Sequence, residues 1–154
     1  MLDAQLSLIS RRIDEFDRFH TLRLRERRAD RPALHEEIDA FVIESSCPGS
    51  IIFSGLGERW RETSRFGAHS ILQRILSHDL AYDRPEIPLD VAVELATAFL
   101  GLFGPAARFF TNGRFIGDGA AWGGNGSVAD ATFETGVVAV DDSLIGILWC
   151  HDED

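Results

Sequence analysis

Lysine is absent from this chain: all 15 basic residues are Arg, set against 25 Asp and Glu, for a formal net charge of −10. A chain this acidic does not bind nucleic acid or an anionic membrane through bulk electrostatics. It attracts a basic protein instead. Arg differs from Lys mainly in its planar, bidentate contacts, so its exclusive use points to a GC-rich, bacterial genome. Cysteine is scarce. Cys47 and Cys150 stand far apart, in neither a CxxC nor a metal-ligand pattern, which excludes a disulfide framework. The longest apolar run, around residues 95–103, is too short to span a bilayer. No basic stretch followed by an apolar one opens the chain, so the expected location is cytoplasmic, with free thiols.

What is present describes one ordinary globular domain over residues 1–154. The chain is 45% hydrophobic and 26% charged, which excludes a disordered or collagen-like protein. The charge is unevenly placed. Every Arg lies at or before Arg114, and from Phe115 onward the charged residues are the acids Asp118, Asp130, Glu134, Asp141, Asp142, Asp152, Glu153 and Asp154. For the last three residues a solvated tail is the better reading. In the rest of the segment the acids alternate with apolar, strand-like residues.

The first hundred residues carry helical periods. Leu2, Leu6, Ile9, Ile13 and Phe16 recur at three and four, predicting a long amphipathic helix over 3–28, with Asp3 at its start and Arg near its end. Phe19, Leu22 and Leu24 fit that period less well, leaving a strand over 20–27 open. After Asp30-Arg31-Pro32, the stripe Leu34, Ile38, Phe41, Val42 predicts a second helix, with a hairpin of 40–45 and 50–54 around Cys47-Pro48-Gly49 as its rival. A third helix is expected over 64–78. A fourth starts near Pro88 with Asp90 as its cap, stops at Gly104-Pro105, and turns Val91, Leu95, Ala98, Phe99 and Leu102 to the core as a central, almost fully buried element.

Then the period falls to two. Arg108–Thr111 and 114–117 flank Asn112-Gly113, a strong hairpin signal. A glycine-rich loop over 117–127 surrounds Trp122. Residues 132–140 and 144–150 form a second hairpin around Asp141-Asp142-Ser143, with Ile145, Ile147 and Trp149 on one face. Helices first and strands last give an α+β fold, N-terminal helices packed on a C-terminal antiparallel β-sheet built from hairpins.

Catalytic and metal signatures are missing. His20, His35, His69, His78 and His151 show no i, i+4 pair and no HExxH. There is no GxSxG and no Walker A sequence, and Gly55-Leu56-Gly57 lacks a third glycine. Cys150-His151-Asp152 is a compact set, but strand neighbours point to opposite faces, so Cys150 and His151 cannot easily share a proton. No catalytic group, no metal set and no cofactor is therefore assigned. Asp79, Asp83 and Glu86 crowd one loop and could line a cleft, although acidic surface loops more often serve solubility.

Trp122, on a glycine-rich loop among acids, has the composition of an interface anchor, with a lid folded over the sheet as the equal alternative. The end of the chain resembles the immunity proteins of bacterial polymorphic toxin systems. The residues that carry the likeness are Trp122-Gly123-Gly124-Asn125-Gly126, Thr132-Phe133-Glu134-Thr135-Gly136-Val137-Val138, and Gly146-Ile147-Leu148-Trp149 closing on Asp152-Glu153-Asp154. The resemblance implies a non-enzymatic protein that neutralises a cognate, basic toxin by covering its active site, carboxylates standing in for substrate phosphates. Asp118, Trp122, Glu134, Asp141, Asp142 and Asp152 are the expected partner-binding residues, with the four strand-hairpin acids on the solvent side. The alternative is a small-molecule enzyme or sensor whose pocket lies between helix 88–103 and the sheet.

Overall fold

The computed structural model describes residues 2–45, 54–113 and 133–152. In chain order these form α1 (Leu2–Asp14), β1 (His20–Glu26), α2 (Leu34–Glu44), a 3-10 turn (Gly57–Arg59), β2 (Arg61–Thr63), α3 (Arg65–Ser77), α4 (Leu89–Leu100), β3 (Arg108–Thr111), β4 (Phe133–Val140) and β5 (Leu144–Asp152). The sheet is antiparallel, in the order β1-β5-β4-β3-β2. The fold is α+β, as the shift from helical to strand period predicts.

Helices cover both faces of the sheet. Along β4 and β5 successive side chains enter two different cores. Val137, Ala139, Leu148 and Cys150 join α1, α3 and α4. Val138, Val140, Ile145, Ile147 and Trp149 meet α2 and Trp60 on the other side. Burial on both faces explains why 144–150 is an almost unbroken apolar run. Ile145, Ile147 and Trp149 share one face, as expected, and the Trp60 and Trp149 rings meet edge-on at 6.0 Å. Gly136 lies opposite Trp149, where a Cβ would stand 2.2 Å from the Leu148 carbonyl oxygen and 2.6 Å from the Trp149 Cα.

The expected long helix over 3–28 is corrected. Ile9 and Ile13 bury one stripe of α1, but the helix ends at Asp14, the chain turns through Asp17, in the left-handed region at φ 56°, and it runs back as β1. A period of two takes over there. Leu22 and Leu24 pack on the first core, while the guanidinium groups of Arg23 and Arg25 lie 5.8 Å and 5.2 Å from the centre of the Phe41 ring on the other side. Alternate Arg residues, which suit a helix C-terminus, here sheathe the second layer.

Residues 34–44 are helical, so the first arm of the rival hairpin is not a strand; its turn and most of its second arm lie outside the described residues. Buried Ile38, Phe41 and Val42 drive α2 onto the sheet. The third helix occupies its expected place, capped by Ser64, whose Oγ accepts from the Gly67 N–H at 2.9 Å. In α4, Pro88 holds the cap position and Asp90 lies in the first turn without capping. The helix buries Ala92, Leu95, Ala96, Phe99 and Leu100. Ala98, expected inward, is exposed, and Val91 and Leu102 are half-buried, so only one face of α4 is in the core.

The hairpin around Asn112-Gly113 is also revised. Its first arm is β3, but β3 is paired on one side with β4 and on the other with β2. Its second arm, 114–117, lies outside the described residues. The second hairpin stands, with β4 and β5 joined through Asp141-Asp142-Ser143.

Candidate functional site

Three segments converge at one end of the sheet: the α1–β1 turn, the α3–α4 connection and the end of β5. Between them lies a cleft of about 440 Å³ lined by Asp17, Arg18, Phe19, Asp79, Glu86, His151 and Asp152. Arg18 is its fixed element. The residue is 3% exposed. Its Nε donates to the Ile75 carbonyl at 2.9 Å, one terminal nitrogen to Asp152 Oδ1 at 2.6 Å, and the other to the His78 carbonyl at 3.3 Å. Asp152 Oδ2 accepts from the Leu80 N–H at 2.8 Å. Burial opposes the charge on Arg18, but the neighbouring Cys150, Asp152 and Glu86 together outweigh it and hold its pKa above the ordinary value.

Of the other groups, Asp17 and Phe19 are exposed, and Asp79, Glu86 and His151 are half-buried. Phe19 is 72% exposed, its ring stacked on His151 at 5.9 Å and an interplanar angle of 27°. Asp79 Oδ1 accepts from the Tyr82 N–H at 2.6 Å and shapes its loop. The Glu86 backbone is tied to the Ser77 carbonyl, which fixes where its side chain starts. Four carboxylates thus meet one guanidinium in the cleft, and that guanidinium is committed to Asp152. The arrangement favours a cation with a flat face. Asp83, expected beside Asp79 and Glu86, instead pairs with Arg74.

Of the expected partner-binding residues, the structure disperses the described ones. Glu134 is corrected: it is 4% exposed, and Oε2 accepts the Trp149 indole N–H at 2.8 Å. The alternation that would turn it to solvent fails because the second face of the sheet is also covered. Asp152, likewise expected on the solvent side, is committed to Arg18 in the cleft wall. Asp141 shapes its turn. Its Oδ1 accepts from the Ser143 and Leu144 N–H groups, and Oδ2 from the Gly104 N–H. Burial pushes the Asp141 carboxyl up, but these backbone donors outweigh it and hold it below the usual range. Asp142 is exposed. It and Asp141 sit at the turn, about 23 Å along the hairpin from Glu134 and Asp152. Asp118 and Trp122 lie outside the described residues.

Cys150 is enclosed in the first core, its thiol pushed up to about 11 by burial, while the neighbouring His151 meets Phe19. Among the described residues no group of His, Cys, Asp and Glu is arranged to hold a metal ion, and no helix is long and apolar enough to cross a membrane. The expected pocket between the fourth helix and the sheet is not where the cleft lies; Leu95, Phe99 and their neighbours fill that space with core.

Sequence reasoning missed Arg18, Phe19 and Asp17. Their partners are far away in the chain, and a basic residue inside an Arg-rich stretch carries no local mark. Asp79 and Glu86 were legible as acids crowding one loop. No family model, no curated protein and no solved structure matches this chain.

Proposed function

We propose that this protein works by binding, not by chemistry: an acidic module that seats a basic protein partner and blocks it, as an immunity protein covers its toxin. The observation that carries the reading is the cleft, where Asp17, Asp79 and Glu86 add to an already neutralised Arg18–Asp152 pair beside an open aromatic stack. Carboxylates there would take the place of the phosphates in a basic substrate cleft of the partner. The net charge of −10 steers such a partner over distance. Asp142 and, outside the described residues, Asp118 and Trp122 complete the proposed contact set. The partner side is a bacterial toxin, and the encounter takes place in the cytoplasm.

The test is co-purification from the native host, identification of the bound protein, and assay of that protein's own activity. The reading predicts stoichiometric inhibition by the wild-type chain, and weaker inhibition by Phe19→Ala and Glu86→Gln. A partner whose activity is unaffected by the chain contradicts it.

A further inference from the structure

We infer that the cleft is a receptor for a guanidinium group, carried on an arginine side chain of the partner. The inference rests on the binding reading above and names the chemistry of its central contact. Its first support is Phe19. The ring is largely exposed, yet the fold holds it at the cleft, stacked on His151. Elsewhere the chain lays its own Arg residues over several rings. Arg12 lies over Phe16, Arg65 over Phe109, Arg84 over Tyr82 and Arg108 over Phe110, at 4.8 to 5.5 Å. No Arg among the described residues covers Phe19.

The second support is independent of the ring. Glu86 and Asp17 line the cleft with carboxylates that have no hydrogen-bond or ion-pair partner among the described residues, and Asp79 has used one of its two oxygens. Each nitrogen of Arg18 is already hydrogen-bonded, to Asp152 or to a carbonyl, and its single charge stands against four carboxylates, so the cleft keeps an excess of negative charge. A guanidinium has five N–H donors in a planar fork and a face that stacks on aromatic rings. It can lie on Phe19 and fork onto carboxylates at once. An ammonium has the charge without the face. A volume of about 440 Å³ holds the group and its aliphatic stem.

The probe is N-acetyl-arginine amide, titrated into the 15N-labelled wild-type chain. The expected result is saturable shifts of the Phe19, Leu80 and His151 amides, with a dissociation constant on the order of 1–10 mM. Phe19→Ala and Glu86→Gln each weaken binding by about threefold or more, and Glu58→Gln, on an exposed turn away from the cleft, leaves it unchanged. Phe19 is exposed, so its loss leaves the fold intact, and an unchanged thermal midpoint verifies this. The inference is overturned if the capped arginine shifts none of these amides, if N-acetyl-lysine amide binds as tightly, or if both cleft variants bind like the wild type. Free L-arginine binding about tenfold tighter than the capped form would make the site one for a small metabolite and overturn the side-chain assignment. Should the capped arginine bind while the co-purified partner ignores both variants, the receptor stands and the blocking function falls. Should the partner be lost with both variants while the capped arginine does not bind, the function stands and the guanidinium assignment falls.

Discussion

Arg18 and Asp152 are 134 residues apart in the chain and 2.6 Å apart in the fold. The pair is buried, and each nitrogen of Arg18 has an acceptor, so its geometry offsets the desolvation of both charges. Removing one partner leaves the other charged and orphaned. Arg18→Met is therefore expected to lower stability by about 3–5 kcal/mol, read from the urea midpoint. Combining it with Asp152→Asn should cost less than the two single changes together, because the second removes the charge the first orphaned. Simple addition of the two would mean the residues do not interact. Asp141 gives the pH dependence. Its folded pKa lies below the ordinary carboxylate value, so its contribution is present above that value and is lost as the pH falls through the folded pKa. The wild-type chain should exceed Asp141→Asn in urea midpoint near neutral pH, and the two should converge as the pH falls from about 5 to about 2. A constant gap across that range would contradict the assignment. None of this was legible from single residues, since an acid on a strand or in a turn reads the same whether it faces water or a buried donor.

At the scale of elements, periodicity located α3, α4 and the β4–β5 hairpin, because each has its apolar residues at one clean spacing. It left 20–27 open, where Leu22 and Leu24 signal a strand while the four Arg of 23–28 suggest a helix end; pairing with β5 decides for the strand. It overstated the burial of α4, since exposed Thr97 and Ala98 are as small or apolar as their buried neighbours. The packed face of α4 remains central. Leu95→Ala and Phe99→Ala are each expected to cost about 2–5 kcal/mol by leaving a cavity, while Ala98→Ser should sit near neutral. A urea midpoint for the Leu95 or Phe99 variant no lower than that of the Ala98 variant would remove α4 from the core. Gly136→Ala tests the close approach of β4 and β5. The added methyl meets the Leu148 carbonyl and Trp149 Cα, which are backbone and cannot swing aside. A loss of about 1–3 kcal/mol in urea unfolding is expected, and a neutral outcome would mean the strands pack differently there.

The whole molecule combines a sheet covered on both faces with an acidic surface. The sequence marked the charge but misplaced its use, for Glu134, Asp141 and Asp152 are held by internal donors. The cleft is assembled from residues 17–19, 79–86 and 151–152, and only the tertiary fold brings these three segments together. The central claim, that this cleft receives a basic partner, is tested most directly by association kinetics with the co-purified partner over a range of salt. The comparison is between the wild-type chain and Asp17→Asn/Asp79→Asn/Glu86→Gln. The Asn at position 79 keeps an oxygen for the Tyr82 N–H, so the loop is preserved. The account predicts slower association for the triple variant and a flatter dependence of its rate on salt. Identical association rates and identical salt slopes for the two chains would contradict it.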